Sequence, residues 1–338
     1  MNLKQDKYSK YALVQEMMDT PGVVEKFNPD QTRDVAAEIR SAGRLFLTGE
    51  GSSRIFPAKN AIRKALTRGM DLSVSTDGSR QSAQYDLSRF AVFCASNSGR
   101  TKEVVLLAKK LAAAGNEKRY ALTANNDTIL EKECRKTFVL NCGWEQAVAA
   151  TKSVIEQTLF YESILWHLQG LDQSGKLAKL PALLHQALTM EIDREIVQLA
   201  AKAPTIYFAG YNDGVAEELT LKTNEITRKK SDFLEGTYAV HGIEEVMDKE
   251  DIVFVVDPIE EEIEKFREVL VKGVGLKVVA IADRDTPFTT IRTSPAGEMN
   301  PYVFLCAGWN ILVEIGLAIG IDLDKPERAR KVGNEFTG

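Results

Sequence analysis

The feature that most constrains this chain is a pattern that occurs twice. Short apolar runs ending in small residues, RLFLTG, FAVFCAS, RYALTA and TFVLNC, are each followed by a longer segment with helical spacing. The same order returns as TIYFAG, DIVFVVD, KVVAIAD and YVFLCAG. The offsets agree: Gly210 minus Gly49 is 161, Lys277 minus Lys118 is 159, and Trp309 minus Trp144 is 165. Continuous apolar strands alternating with amphipathic helices bury both faces of a parallel sheet. The chain is therefore expected to be α/β, with two tandem, doubly wound, three-layer domains of flavodoxin-like type.

With 338 residues there is enough chain for two cores of ordinary size. The expected order is a helical arm over 1–42, punctuated by Pro21 and Pro29, and a first domain over 43–165. A helical linker over 166–203 follows, broken by Gly170, Gly175 and Pro181, then a second domain over 204–325 and a tail over 326–338. Trp144 and Trp309, at matching places in the repeat, are expected in the cores. A net charge of -5 does not give the electrostatic footprint of a nucleic-acid binder. Cys94, Cys134, Cys142 and Cys306 are far apart, with no CxxC pair, and are expected as reduced thiols with no metal. The opening MNLKQDKYSK has no apolar leader run. The longest apolar stretch, around Ile311 to Ile321, is broken by Glu314 and is too short to span a bilayer. A cytoplasmic protein without a membrane partner is expected.

The two copies differ where chemistry would be grafted. After FAVFCA the first copy reads Ser96, Asn97, Ser98, Gly99, Arg100, Thr101, and a helix begins near Lys102. The second copy reads Asp257, Pro258, Ile259, Glu260 there. Hydroxyls and a glycine at a strand-to-helix turn present donors to a phosphate, and the helix N-terminus adds N–H groups and a favourable dipole. The carboxylates of the second copy would repel it. The S-x-S-G-x-T pattern also fits a simple capped turn. Two further loops point toward a site: Gly49 to Ser53 after the first strand, and Ala149, Ala150, Thr151 and Lys152 after the fourth. In an open parallel sheet, ligands sit beyond the carboxyl ends of the strands, where such loops converge.

The segments GEGSS, SNSGRT and CGWEQAVAATK resemble the sugar isomerase (SIS) domain family. The paired arrangement is similar to the isomerase half of glucosamine-6-phosphate synthases and to fructosamine-6-phosphate deglycases. The resemblance implies two SIS-type domains and a phosphate held by Ser52, Ser53, Ser96, Asn97, Ser98 and Thr101. It adds Gly51, Ala149, Thr151 and Lys222 as further substrate contacts. The family's base is a glutamate in a Glu, Lys, Glu pattern, matched here by Glu218, Lys222 and Glu225. Sixteen residues beyond the base the family has a ring-opening histidine, and His241 minus Glu225 is 16. Asp324, Lys325, Pro326 and Lys331 look like the family's D-K-P tail with its lysine. The chain departs from the pattern in having Ile243 after His241 and Gly242, and Tyr238 three residues before the histidine.

Moving a proton between C1 and C2 of an open-chain sugar phosphate needs a carboxylate that takes and returns it, and a group that trades a proton with the ring oxygen. Glu225 and His241 fit those roles, since imidazole titrates near neutrality. Lys331, or Lys222, would supply positive charge beside an enediolate. His167 and His185 lie in helical stretches and are expected to pack or face solvent. With no glutaminase segment recognisable, the resemblance implies a ketose/aldose or amino-sugar 6-phosphate isomerase, with a deglycase or a non-catalytic sugar-phosphate sensor as alternatives. It also implies a homodimer, a small-molecule sugar phosphate as partner and no cofactor.

Overall fold

The computed structural model describes residues 1–330 and 334–337. Along the chain, helices α1 (Asp6–Ser9), α2 (Ala12–Glu25) and α3 (Arg33–Ala42) precede the first sheet. That sheet is made by β1 (Arg44–Gly49), β2 (Ser73–Gly78), β3 (Ala91–Ala95), β4 (Arg119–Thr123) and β5 (Lys136–Val139). Between and after its strands run α4 (Ile55–Thr67), α5 (Ser79–Ser82), α6 (Lys102–Ala113), α7 (Ile129–Glu133) and α8 (Lys152–Gln169). Helices α9 (Ser174–Thr189) and α10 (Arg194–Lys202) lead to β6 (Thr205–Gly210), α11 (Val215–Thr227), β7 (Lys230–Glu235) and β8 (Ile252–Val256). The chain continues through α12 (Ile263–Phe266), β9 (Lys277–Ala282), β10 (Thr289–Arg292) and α13 (Asn300–Ile319).

Both sheets are wholly parallel and have the same order, β2-β1-β3-β4-β5 and β7-β6-β8-β9-β10. This 2-1-3-4-5 order reverses direction between its first and third strands, and ligands bind beyond the carboxyl ends at such a reversal. The duplication extends to a close approach at that point. A Cβ on Gly49 would sit 2.9 Å from the carbonyl oxygen of Ala95, and one on Gly210 would sit 2.9 Å from that of Val256. Each glycine ends the first strand of its sheet and faces the last residue of the third, so a side chain there would force the two strands apart.

The chain divides into two compact units. One, the serine-loop unit, comprises Gly22–Ala178 with the segment from Ala329; the other, the glutamate unit, comprises Met1–Pro21 and Lys179–Arg328. The expected arm and linker are thus each shared between the units. Helix α8 shows why: Lys152 to Trp166 are all buried, so it is a core helix of the serine-loop unit. In that unit Val92 and Cys94 of β3 pack beneath α6 with Leu107, Leu111 and Leu130, while Phe93 meets Tyr120, Phe160 and Tyr161.

Three sequence expectations fail here. YVFLCAG is not the fourth strand of the second copy but part of α13. A buried apolar run does not by itself distinguish strand from helix, and this one extends over 20 helical residues. The strand in that place is β10, and it went unseen, like β2 and β7, because these three edge strands are only partly covered and carry polar residues. The equivalence of the tryptophans falls with it, since Trp309 is fully buried in α13 whereas Trp144 is 51% exposed in a loop. The region Gly297–Ile319 is also long and apolar enough to cross a membrane, contrary to the length argument. Most of it is buried within the protein, as in the core helix of a globular domain. Gly308 admits α11 there, because a Cβ would lie 2.3 Å from the Leu219 side chain.

Candidate functional site

In the serine-loop unit, Ser96 to Thr101 form the turn from β3 into α6. The N–H of Gly99 donates to the Ser96 carbonyl at 3.0 Å, closing the turn. The hydroxyls converge: Ser96 Oγ lies 2.8 Å from Thr101 Oγ1 and 3.4 Å from Ser98 Oγ, and Ser98 Oγ accepts from the Arg100 N–H at 3.2 Å. Thr101 stands at the N-cap of α6 but its side chain makes no capping bond. Its hydroxyl faces that of Ser96 instead, so capping of α6 does not account for the position of the Thr101 side chain. Ser96 and Ser98 are buried, as is Ser52 of the β1 loop; Ser53 is half-buried and its carbonyl accepts from Gln157. Gly51 is exposed with φ 55°, in the left-handed region that suits glycine.

Gly99 is fixed on two counts. Its φ is 61°, and a Cβ would lie 2.3 Å from that of Thr128. Thr128 cannot easily yield, because it caps α7 by accepting from the Glu131 N–H at 3.2 Å while the Glu131 carboxylate reaches back to the Thr128 N–H. Gly99→Ala is therefore expected to lower stability by about 2–4 kcal/mol, from left-handed strain plus overpacking. Urea unfolding measures it, and a loss under 1 kcal/mol would contradict this account.

The loop between β5 and α8 is held by two buried carboxylates. Glu145 accepts from the Thr151 N–H at 2.7 Å, the Thr151 hydroxyl at 3.1 Å, the Ser153 hydroxyl at 2.5 Å and the Asn97 amide at 3.2 Å. Glu156 accepts from the N–H groups of Asn141 at 2.8 Å and Cys142 at 2.7 Å. Burial raises the Glu156 carboxyl above its ordinary range, opposed by those donors. Asn97 and Thr151, expected on substrate, thus direct their side chains to Glu145, and Ala149 is buried beside them. Sequence reasoning left Glu145 unassigned. Its signal was an acid six residues before Thr151 in CGWEQAVAAT, which becomes legible only once the loop is closed.

Residues 334–336 of the tail lie along this turn. Thr101 and Glu335 form an antiparallel bridge; the Lys102 N–H donates to the Asn334 carbonyl at 3.0 Å and the Phe336 N–H to that of Arg100 at 2.9 Å.

In the glutamate unit, Glu218, Lys222 and Glu225 occupy one face of α11, at i, i+4 and i+7. Lys222 is completely buried, its Nζ 3.1 Å from Glu218 and 2.7 Å from Glu225. Burial opposes its charge, but the two carboxylates outweigh that cost and raise its pKa, so it stays an ammonium. Lys222 accordingly orients Glu225, whose side chain is 23% exposed, rather than presenting itself to a ligand. His241 follows β7 and is exposed. Among the described residues no hydrogen bond joins it to Glu225. His185 is exposed on α9 and His167 contacts the Pro29 carbonyl, as expected of packing or surface residues.

The D-K-P segment is anchored. Asp324 accepts from the N–H groups of Ala12 and Leu13 at 2.6 and 2.9 Å, opening α2. Arg228, three residues beyond Glu225, donates to the carbonyls of Asp322 and Lys325. Lys331 lies outside the described residues. At the place in this unit that corresponds to the serine turn, Asp257 has φ 47° and pairs with Arg284 at 2.6 Å. The carboxylate there is thus compensated, and an ion pair stands where the first sheet has hydroxyls.

These features define a duplicated, doubly wound α/β protein with a hydroxyl-lined turn in the first repeat alone. Residues 38–166 match the model of the SIS domain family. Solved structures extend the likeness of fold over nearly the whole chain. The C-terminal domain of glucosamine-fructose-6-phosphate aminotransferase from Francisella tularensis aligns at TM-score 0.77 and 19% identity, covering 95% of this chain and 100% of that one. Tagatose-6-phosphate ketose/aldose isomerase from Escherichia coli aligns at TM-score 0.77 and 19% identity, covering 95% and 97%. Glucosamine-6-phosphate deaminase from Thermotoga maritima aligns at TM-score 0.72 and 20% identity, covering 97% and 99%. None of the curated protein sequences matches. The chain has the fold of the phosphosugar isomerases.

Proposed function

We propose that this protein is a phosphosugar isomerase that moves a proton between C1 and C2 of a ketose/aldose or amino-sugar 6-phosphate. The observation that carries the assignment is the Ser96 hydroxyl lying 2.8 Å from that of Thr101 and 3.4 Å from that of Ser98, beside the N-terminus of α6 and at the carboxyl edge of the first sheet. Such a cluster suits a phosphate, with Ser52 and Ser53 contributing from the neighbouring loop. The names of the neighbouring folds, a ketose/aldose isomerase and an amino-sugar phosphate deaminase among them, agree with that substrate class.

Glu225 is the base. Its carboxylate removes the proton from C2 of the opened aldose, leaving an enediolate, and returns it to C1 while the O2 proton passes to O1, giving the ketose. His241 protonates the ring oxygen as the sugar opens, and Lys331 neutralises the enediolate oxygen. A homodimer in the cytoplasm, with the tail closing over the bound sugar, completes the proposal; no cofactor is required, because every step is proton transfer.

Incubating the protein in D2O with fructose 6-phosphate, glucosamine 6-phosphate and a fructosamine 6-phosphate, and following C1 and C2 protons by NMR, tests it. Deuterium incorporation with interconversion of aldose and ketose is expected. Release of a free amine from the fructosamine alone would make it a deglycase. Phosphosugar binding without any exchange would make it a sensor.

A further inference from the structure

Thr101 has two uses for one hydroxyl. It stands at the N-cap of α6 with φ -57° and ψ 118°, a backbone from which a threonine side chain ordinarily accepts the N–H two or three residues on, here that of Glu103 or Val104. It makes no such bond and lies 2.8 Å from the Ser96 hydroxyl instead. The first N–H groups of a helix have no partner within it, so another acceptor has to serve the start of α6. Three consecutive tail residues provide it. The Lys102 N–H donates to the Asn334 carbonyl at 3.0 Å, Glu335 bridges Thr101, and the Phe336 N–H donates to the Arg100 carbonyl at 2.9 Å.

Side chains hold this short strand in place. The Asn334 amide donates to Glu103 at 2.6 Å. Phe336 packs against the apolar cluster that joins α6 to β3, and the Lys109 ammonium lies 4.2 Å from its ring centroid. Asn334 and Glu335 are exposed whereas Phe336 is half-buried, so the aromatic ring is the anchor of the docked segment.

We propose that the docked tail switches Thr101 from capping α6 to joining Ser96, which makes Phe336 a positioning residue for the phosphate turn. The Asn334 carbonyl and the Thr101 hydroxyl are alternative acceptors at one helix start, and the helix gains less from the second once the first is in place. With the tail docked, Thr101 leaves its capping role and its hydroxyl completes the pair with Ser96. With the tail released, the Lys102 N–H loses its acceptor, and the Thr101 hydroxyl turns back to Glu103 or Val104. The role in phosphate binding rests on the function proposed above; the switch in Thr101 does not.

The experiment compares full-length Phe336→Ala with wild type by residue-resolved amide hydrogen exchange in NMR, without ligand, and by titration with inorganic phosphate. Expected in the variant are severalfold faster exchange at Lys102 and severalfold slower exchange at Glu103 or Val104, two changes of opposite sign that general loosening of the turn does not produce. The added protection should vanish in Thr101→Ala with Phe336→Ala, and Phe336→Tyr, which keeps the ring, should exchange like wild type. Phosphate affinity should fall about fivefold in Phe336→Ala, the worth of one hydrogen bond. Unchanged exchange at 102–104, or faster exchange at Lys102 with no added protection at Glu103 or Val104, would overturn the switch. The exchange pattern with undiminished phosphate affinity would overturn the positioning role of Phe336. Wild-type protein that does not bind phosphate at all would remove that role and the phosphate reading of the turn together, and leave the switch to stand or fall on exchange.

Discussion

Glu225→Gln is expected to lower the rate of aldose–ketose interconversion, and of deuterium exchange at C2, by about 10²–10⁴-fold, the range for loss of a positioned general base. The amide keeps the shape of the side chain and an oxygen that can accept from Lys222, so phosphosugar affinity and melting temperature should change little. The loss therefore falls on kcat and not on KM. A variant retaining more than a tenth of the wild-type exchange rate would remove Glu225 from the reaction. The chosen substitution matters because Lys222 is completely buried between Glu218 and Glu225. Truncation to alanine would disturb that buried charge balance and confuse a catalytic loss with a structural one.

Glu145→Ala is expected to be the most destabilising single change in the serine-loop unit. It removes the acceptor for the Thr151 N–H and hydroxyl, the Ser153 hydroxyl and the Asn97 amide, all at or below 3.2 Å. Hydrogen bonds to a charged group are worth about 1.5–3 kcal/mol each, and donors left buried without an acceptor cost comparably. These terms overlap, so the expected net loss is about 3–5 kcal/mol, or roughly 10 °C in melting temperature. Glu145→Gln should lose less, because its carbonyl oxygen still accepts, although its NH₂ faces donors. Scanning calorimetry of both variants decides it: an alanine variant melting within 2 °C of wild type would mean that the loop is not held by Glu145. A further consequence is that phosphate affinity should fall in both, since Asn97 sits within the serine turn.

The ion pair of Asp257 and Arg284 bears on why only one repeat carries the turn. The sequence comparison suggested simple repulsion of phosphate by the acids after β8. With Arg284 at 2.6 Å the Asp257 charge is compensated, and what distinguishes the second repeat is the ion pair in place of converging hydroxyls. Asp257 adopts a left-handed φ to make it, which costs a non-glycine residue of order 1 kcal/mol and is sustained by that pairing.

Much of the architecture was present in the one-dimensional pattern. The central strands β1, β3, β4, β6, β8 and β9 are buried on both faces, so each had to be a continuous apolar run, and each was visible as one. Glu218, Lys222 and Glu225 were legible as a match to the family's Glu, Lys, Glu pattern, and the structure places them at i, i+4 and i+7 on one face of α11. What the local pattern could not carry is long-range context. The edge strands β2, β7 and β10 are defined by pairing with a neighbour and not by their own apolarity, while α13 is apolar because it is enclosed, so its segment imitated a strand.

The same division holds for the site. Residue types and spacing determined which hydroxyls, carboxylates and imidazole were available, because a turn rich in serine and a helix face of charges are local properties. Tertiary structure alone decided how they are used: Lys222 becomes an internal counter-ion, Asn97 and Thr151 turn to Glu145, and Asp324 opens a helix more than 300 residues earlier in the chain. The physical reason is burial. A polar group removed from water must take whatever partner the fold brings within about 3 Å, and that partner is set by packing across the chain and not by neighbours in sequence.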